Sequence, residues 1–236
     1  MTYIVNIERE ELIRCLPADG VVAEIGVAAG EFADAILKNR CAAKAHLIDP
    51  WMFQDREDYL LDGTNADQDI QTARYNLVQK RFAAEISSGR VIIHRDFSEN
   101  VLPEFPEQYF DWVYVDGMHT KEAALRDLHL AWPKIKRDGF LLGHDFSNNQ
   151  VSEEKGFGVV DAVNEFAAET GALFLAMTME PAPSYVLARR ECAAIKPFVE
   201  ELLTKAGAAV ELRGMPKSYR HKLFRFGNKL VSVPSF

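Results

Sequence analysis

Val22-Ala23-Glu24-Ile25-Gly26-Val27-Ala28-Ala29-Gly30 decides the fold of this chain. An apolar run ends in Glu24-Ile25-Gly26, turns through Ala28 and Ala29, and passes Gly30 into a helical pattern with Phe32, Ala35 and Ile36 on one face. That is the first strand–turn–helix of a nucleotide-binding α/β unit. The turn lacks the full G-x-G-x-x-G, whose glycines let backbone approach a pyrophosphate at a helix N-terminus. It carries an acid instead. Glu24 repels phosphate and suits a cationic ligand. Asp49 follows Gly30 by 19 residues, the spacing at which an acid reaches a ribose diol.

Outward from this unit, apolar runs predict strands over 21–25, 45–48, 91–94, 110–115, 140–143, 173–177 and 185–188. Helical periodicity falls over 8–16, 31–38, 70–87, 122–132, 159–169 and 194–206. The link between the last two strands, with Pro181 and Pro183, is too short for a parallel crossover, so that pair is antiparallel. The expectation is an α/β, Rossmann-like three-layer sandwich with a seven-stranded, mostly parallel sheet and an antiparallel last hairpin. Residues 1–190 read as one domain opened by an N-terminal helix within 1–20, and 191–236 as a basic and apolar extension.

At 236 residues and 48% hydrophobic content the chain can bury a large core. A net charge of −8 argues against nucleic acid as a partner. Cys15, Cys41 and Cys192 have no metal spacing and read as reduced thiols in a cytoplasmic protein. No signal peptide or membrane-length apolar run is evident. The segment 54–69 is rich in acids, among them Asp55, Glu57, Asp58, Asp62, Asp67 and Asp69, with Tyr59, Leu60 and Leu61. It reads as a solvated loop or as a lid. After Glu211 the tail has only basic charges: Arg213, Lys217, Arg220, Lys222, Arg225 and Lys229. Leu212, Met215, Tyr219, Leu223, Phe224, Phe226, Leu230 and Val231 are interleaved with them. Such a tail should dock on an acidic surface of its own or a neighbouring subunit, which favours a homodimer.

Acids recur where the predicted strands end: Asp49, Asp96, Asp116 and Asp145. Ligands of an open parallel sheet lie there, and each acid costs desolvation unless a ligand or partner meets it. Asp96 also reads as a helix N-cap ahead of Glu99.

Residues 22–30, and the strand and helix order over roughly 20–190, resemble the class I S-adenosylmethionine-dependent methyltransferases. The resemblance implies strand order 3-2-1-4-5-7-6. It implies S-adenosylmethionine as cofactor, held by Glu24, Gly26, Ala28, Gly30, Asp49, Trp51, Asp96, Phe97 and Asp116. Asp116-Gly117-Met118-His119 with Gly143-His144-Asp145-Phe146 is similar to the macrocin-type sugar O-methyltransferases. That likeness implies His119 as general base, with Asp116 and Asp145 in the catalytic centre as Mg²⁺ ligands. The chemistry is intelligible: a sugar hydroxyl attacks a sulfonium poorly until its proton is removed. His119 also reads as a helix cap, and Asp116 as a contact to the methionine portion of the cofactor. This sequence departs from the subgroup in lacking a clear further carboxylate, with His144 just before Asp145.

His46 and His94, inside strands, read as core or edge histidines, and the apolar stripe of 70–87 as core or a dimer face. The implied function is O-methylation of a small-molecule acceptor of sugar or natural-product type. The alternatives are a nicotinamide-dependent oxidoreductase, disfavoured by Glu24 and the missing glycine, and a non-catalytic cofactor-binding partner subunit. The loops 52–69 and 147–158 and the tail are where acceptor specificity would reside.

Overall fold

Apolar runs that are hydrophobic on both faces form the middle of a sheet, because helices cover each side. In the computed structural model, which describes residues 1–39, 42–60, 62–214 and 219–235, they do so here. The strands are β1 (Thr2–Val5), β2 (Gly20–Ile25), β3 (Ala42–Ile48), β4 (Val91–His94), β5 (Phe110–Val115), β6 (Ile135–Gly143), β7 (Leu173–Thr178), β8 (Tyr185–Ala188), β9 (Ala209–Leu212), β10 (Arg220–Phe226) and β11 (Lys229–Ser235). The helices are α1 (Arg9–Leu12), α2 (Glu31–Lys38), α3 (Gln68–Arg81), α4 (Ala83–Ser87), α5 (Ser98–Val101), α6 (Lys121–Ala131), α7 (Gln150–Glu154), α8 (Val159–Thr170) and α9 (Ile195–Lys205).

One sheet runs β4-β3-β2-β5-β6-β8-β7-β1-β9, and β10 and β11 pair as a separate hairpin. The first seven positions reproduce the implied order, and β8 is antiparallel to both β6 and β7. The strand count is corrected from seven to nine. Thr2–Val5 pairs parallel with β7, and Ala209–Leu212 pairs antiparallel with β1. Both are four residues long, and each owes its strand state to a partner far along the chain, which local patterning does not register.

Alternation along β5 shows how the layers form. Trp112 and Tyr114 face the core beneath α2, α3 and α9, which holds Phe32, Ile36, Val78, Phe198 and Leu202. Val113 and Val115 face the other core, with Leu128 of α6 and Val163 and Phe166 of α8. The helix expected over 8–16 is α1 followed by a 3₁₀ turn at Ile13–Cys15. The helix expected over 70–87 breaks at Phe82, whose φ of −106° and ψ of 23° separate α3 from α4. Its stripe is core only at Val78 and Phe82, while Leu77 is exposed. His46 Nδ1 and His94 Nε2 lie 3.0 Å apart, and Phe105 and Phe110 meet the His46 ring edge-on. Burial lowers His46 to about 4, as fits a neutral core histidine.

The C-terminal stretch docks on its own chain. Asn148 Oδ1 accepts from the His221 backbone N–H at 2.8 Å, and Arg220 and Lys229 pair with Glu153 and Glu8. These ion pairs are exposed, so they orient more than they stabilise. Leu223 and Phe224 stay largely exposed. The readings that involve Cys41, Leu61, Met215, Lys217 and the Phe226 side chain lie outside the described residues. Cys15 and Cys192 are buried, with Cys15 Sγ donating to the Glu11 carbonyl at 3.5 Å, and no helix among the described residues is long and apolar enough to cross a membrane.

Truncation after Arg190 removes Phe198 and Leu202 from the core and takes β9 from the edge of β1. Two such losses cost roughly 2–5 kcal/mol each. A melting temperature lower by about 5 °C or more is expected in a thermal melt, and an unchanged one would show that 191–236 adds nothing to the fold.

Candidate active site

Gly26, at the exit of β2, sits at φ +85°. A Cβ there would lie 2.0 Å from the Asp116 carbonyl oxygen. Only glycine lets the ends of β2 and β5 close so tightly. The following turn is latched by Asp49, whose Oδ2 accepts from the N–H groups of Val27 at 2.9 Å and Ala28 at 3.0 Å. Asp49 Oδ1 accepts from Trp51 N–H at 2.6 Å. Burial pushes the Asp49 carboxyl above its ordinary value against these bonds. Ala28, Trp51 and Asp145 have φ of +48°, +44° and +53°. Left-handed backbone outside glycine costs about 1–3 kcal/mol per residue and concentrates at functional sites.

A cavity of about 330 Å³ opens over these strand ends. Glu24, Gly26, Ala28, Asp49, Phe97 and Asp116 line it. Burial and the nearby Asp116 raise Glu24 well above the carboxylate range, and its Oε2 has no hydrogen-bond partner. Three residues expected to hold the cofactor lie elsewhere. Gly30 turns its back on the cavity: a Cβ would meet Phe82 at 3.0 Å and Val78 at 3.1 Å, so the glycine serves packing against α3. Trp51 is fully buried beneath the turn and donates from Nε1 to the Ala28 carbonyl at 2.8 Å. Asp96 is exposed, with Oδ1 accepting from Phe97 N–H and Asn100 Nδ2. Its carboxylate is consumed by these two bonds ahead of α5, whose N-cap is Phe97 rather than Asp96 and has no side-chain capping bond. On that side of the cavity the buried acid is instead Asp127 of α6, which accepts a 2.6 Å bond from Ser98 Oγ.

Next to the cavity a second cluster forms around His119. Its Nδ1 lies 2.6 Å from Asp62 Oδ2, and Phe157 stacks on the ring at 4.3 Å. Nε2 lies 3.1 Å from Asp145 Oδ2 and 3.7 Å from Asp116 Oδ1, yet makes no hydrogen bond to either. Burial favours a neutral ring, but Asp116, Asp145 and Asp62 outweigh it and raise His119 well above its ordinary value. His144 is raised to about 10 by Asp116 and Asp145 against the same penalty. Both aspartates are held well below the carboxylate range, the two imidazoles overcoming burial. One carboxylate oxygen each of Asp116 and Asp145 and one ring nitrogen of His144 fall within 4.8 Å of one another.

Three side chains of the cavity and the His119 cluster escaped the sequence reading. Asp62 comes from the acidic 54–69 segment, where it is 7% exposed and its Oδ1 accepts from Thr64 N–H and Oγ1. A lone buried acid in an acid-rich stretch carries no sequence signal. Arg9 enters from α1 and places Nη1 3.1 Å from Asp116 Oδ2, a contact that needs β1 in the sheet. Asp127, at helical spacing among apolar residues, gave no sign of its burial.

A family model described as a methyltransferase domain matches residues 23–146. No curated protein sequence matches the chain significantly. Among solved structures, spermidine synthase from Thermotoga maritima aligns with a TM-score of 0.52 at 16% identity, over 87% of this chain and 65% of that one. The pyocyanin biosynthetic protein PhzM aligns at 0.52 and 16%, over 76% and 53%. An O-methyltransferase family protein from Burkholderia thailandensis gives 0.51 and 12%, over 76% and 55%. This chain thus spans less than two thirds of each. At these identities the likeness is one of fold.

Asp127 is raised by burial from 3.8 to about 6. The folded state therefore binds its proton more tightly than the unfolded chain, and stability falls as pH rises between about 4 and 6. The loss approaches about 3 kcal/mol at most. Asp127→Asn should remove this slope and be more stable than the unaltered protein at pH 7.5 in urea titrations; parallel pH–stability curves would contradict the buried-acid assignment.

Proposed function

The chain belongs to the methyltransferase-domain family, within class I of the S-adenosylmethionine-dependent enzymes, and from that premise we propose that it methylates a hydroxyl of a small molecule of sugar or natural-product type. The observation that carries this reading is His119 Nε2, buried without a hydrogen bond between Asp116 and Asp145 while Asp62 occupies Nδ1. A hydroxyl nucleophile needs a base with one free nitrogen and the other fixed by a carboxylate, the arrangement of a positioned imidazole.

The strand order supports a layout for the donor. Phe97 follows β4, Asp49 follows β3, Glu24 ends β2 and Asp116 follows β5. Phe97 would take the adenine ring, Asp49 the ribose, and Glu24 with Asp116 the cationic methionine end. The acceptor oxygen then lies on the Asp116–His119 side. It attacks the methyl carbon as the carbon–sulfur bond breaks, its proton passes to His119 Nε2, and S-adenosylhomocysteine leaves. Three carboxylates hold the proton on His119 as the site stands. A sulfonium and ammonium bound beside Glu24 and Asp116 would oppose that charge, so that His119 could reach the neutral imidazole a base requires.

The residues fit a divalent ion. Asp116, Asp145 and His144 would hold it, and it would supply a Lewis acid that eases loss of the acceptor proton. The imidazole nitrogen in this set suits Mn²⁺ better than Mg²⁺, which prefers oxygen throughout.

His119→Ala should lower the turnover number by about 10²–10⁴ while leaving the affinity for S-adenosylhomocysteine unchanged. Asp62→Asn should lower it at least roughly tenfold with the same selectivity. Steady-state kinetics with a methylated acceptor, alongside calorimetry of the product cofactor, test both; unaltered turnover in His119→Ala would end the base assignment. Calorimetric titration should show Mn²⁺ binding more tightly than Mg²⁺, and Asp145→Asn should abolish it. No heat from either ion would remove the metal from the site.

A further inference from the structure

Arg9 has no part in the chemistry above, yet it lines the donor cavity. Its placement is fixed from three sides. Nη1 lies 3.1 Å from Asp116 Oδ2, the guanidinium stands 4.7 Å over the Phe32 ring, and the backbone N–H donates to Glu180 Oε2 at 3.4 Å. The other arginines of the cavity wall are engaged elsewhere: Arg56 forks onto Asp58, Arg74 donates to the Thr64 carbonyl, and Arg126 pairs with Glu99. At the end bounded by Glu24, Phe32 and Asp116, Arg9 is the cation among the described lining residues.

That end therefore presents two opposite charges to one ligand. Glu24 offers a carboxyl with an unpartnered Oε2, and Arg9 offers a guanidinium whose N–H donors outnumber those turned to Asp116, Glu10 and Tyr114. An acid beside an arginine complements the ammonium and carboxylate of an α-amino acid, and the planar fork matches a carboxylate. We propose that Arg9 binds the α-carboxylate of the methionine portion of S-adenosylmethionine and thereby excludes its decarboxylated form. This rests on the donor reading given above and adds to it the residue that sets selectivity. The need follows from charge. Glu24, Glu31, Asp49 and Asp116 make the wall acidic, and removing the carboxylate makes the donor more positive. Without Arg9 the wall would favour the decarboxylated molecule.

Calorimetry on the full-length protein tests this with two probes, S-adenosylhomocysteine and the same molecule lacking only its carboxylate. The unaltered protein should bind the carboxylated probe at least about tenfold more tightly. Arg9→Met should weaken that probe by roughly tenfold to a hundredfold and leave the decarboxylated one no weaker than before. Arg9→Lys keeps the charge, loses the paired donors and also guards against a misfolded Met variant; its preference should lie between the two. Equal weakening of both probes by Arg9→Met would reduce Arg9 to a counter-ion for Asp116 and overturn the proposal. So would an unchanged preference in either variant. If the unaltered protein bound neither probe, the donor reading itself would fall and take this inference with it.

Discussion

The close approach of Gly26 to the Asp116 carbonyl is the contact from which the rest of the site follows. With a side chain at 26, the ends of β2 and β5 would have to separate. The turn at 27–30 would then lose its register with Asp49, which holds that turn through two backbone N–H groups. Asp116 would move with the end of β5, and with it the anchor of Arg9 and one wall of the His119 cluster. One missing Cβ therefore aligns the donor cavity with the group that would receive the acceptor proton. Glycine's entropic cost in a strand end is about 1 kcal/mol, small beside the arrangement it permits.

Around that contact the protein concentrates carboxylates and then opposes them. Asp116 and Asp145 face two imidazoles, and Asp116 also meets Arg9. Glu24 has no such partner at Oε2 and is driven toward its neutral form by burial. Such a site is electrostatically incomplete by itself: each buried acid has a cost that a cationic ligand offsets. Incompleteness of this kind marks functional sites, since a structural network tends to satisfy every member. The backbone points the same way, with left-handed conformations at Ala28, Trp51 and Asp145 placed just after β2, β3 and β6.

The acidic segment after β3 has a role composition alone did not reveal. Its charges are mostly solvated, as at Asp58, which pairs with Arg56 on the surface. Asp62 alone is drawn inward onto His119. Tyr59 and Thr64 brace it through a 3.0 Å bond between their hydroxyls. A loop that carries the orienting acid of an imidazole couples cover and chemistry: the imidazole has its partner only while the loop is in place.

The sequence by itself determined the seven-strand frame and the turn at 22–30, while the order of the strands was only implied by the family resemblance those residues carry. The frame and the turn depend on hydrophobic period, glycine placement and loop length, which are local properties. It also placed Asp49, Asp116, His119 and Asp145 at strand ends, because the ends of apolar runs are visible in one dimension. Tertiary structure decided which of those ends face the cavity. Asp96 and Phe97 are neighbours in sequence, yet one is exposed and bonds locally to Phe97 N–H and Asn100 while the other lines the cavity. Tertiary structure also decided that Thr2–Val5 and Ala209–Leu212 are strands, since a short extended segment has no stability until a partner supplies its hydrogen bonds. Arg9, Asp62 and Asp127 belong to the same class. Each is an ordinary charged residue in its own segment, and its role arises from a neighbour 107, 57 or 29 residues away. Proximity across such distances is paid for by the packing of the whole fold, and no local pattern encodes it.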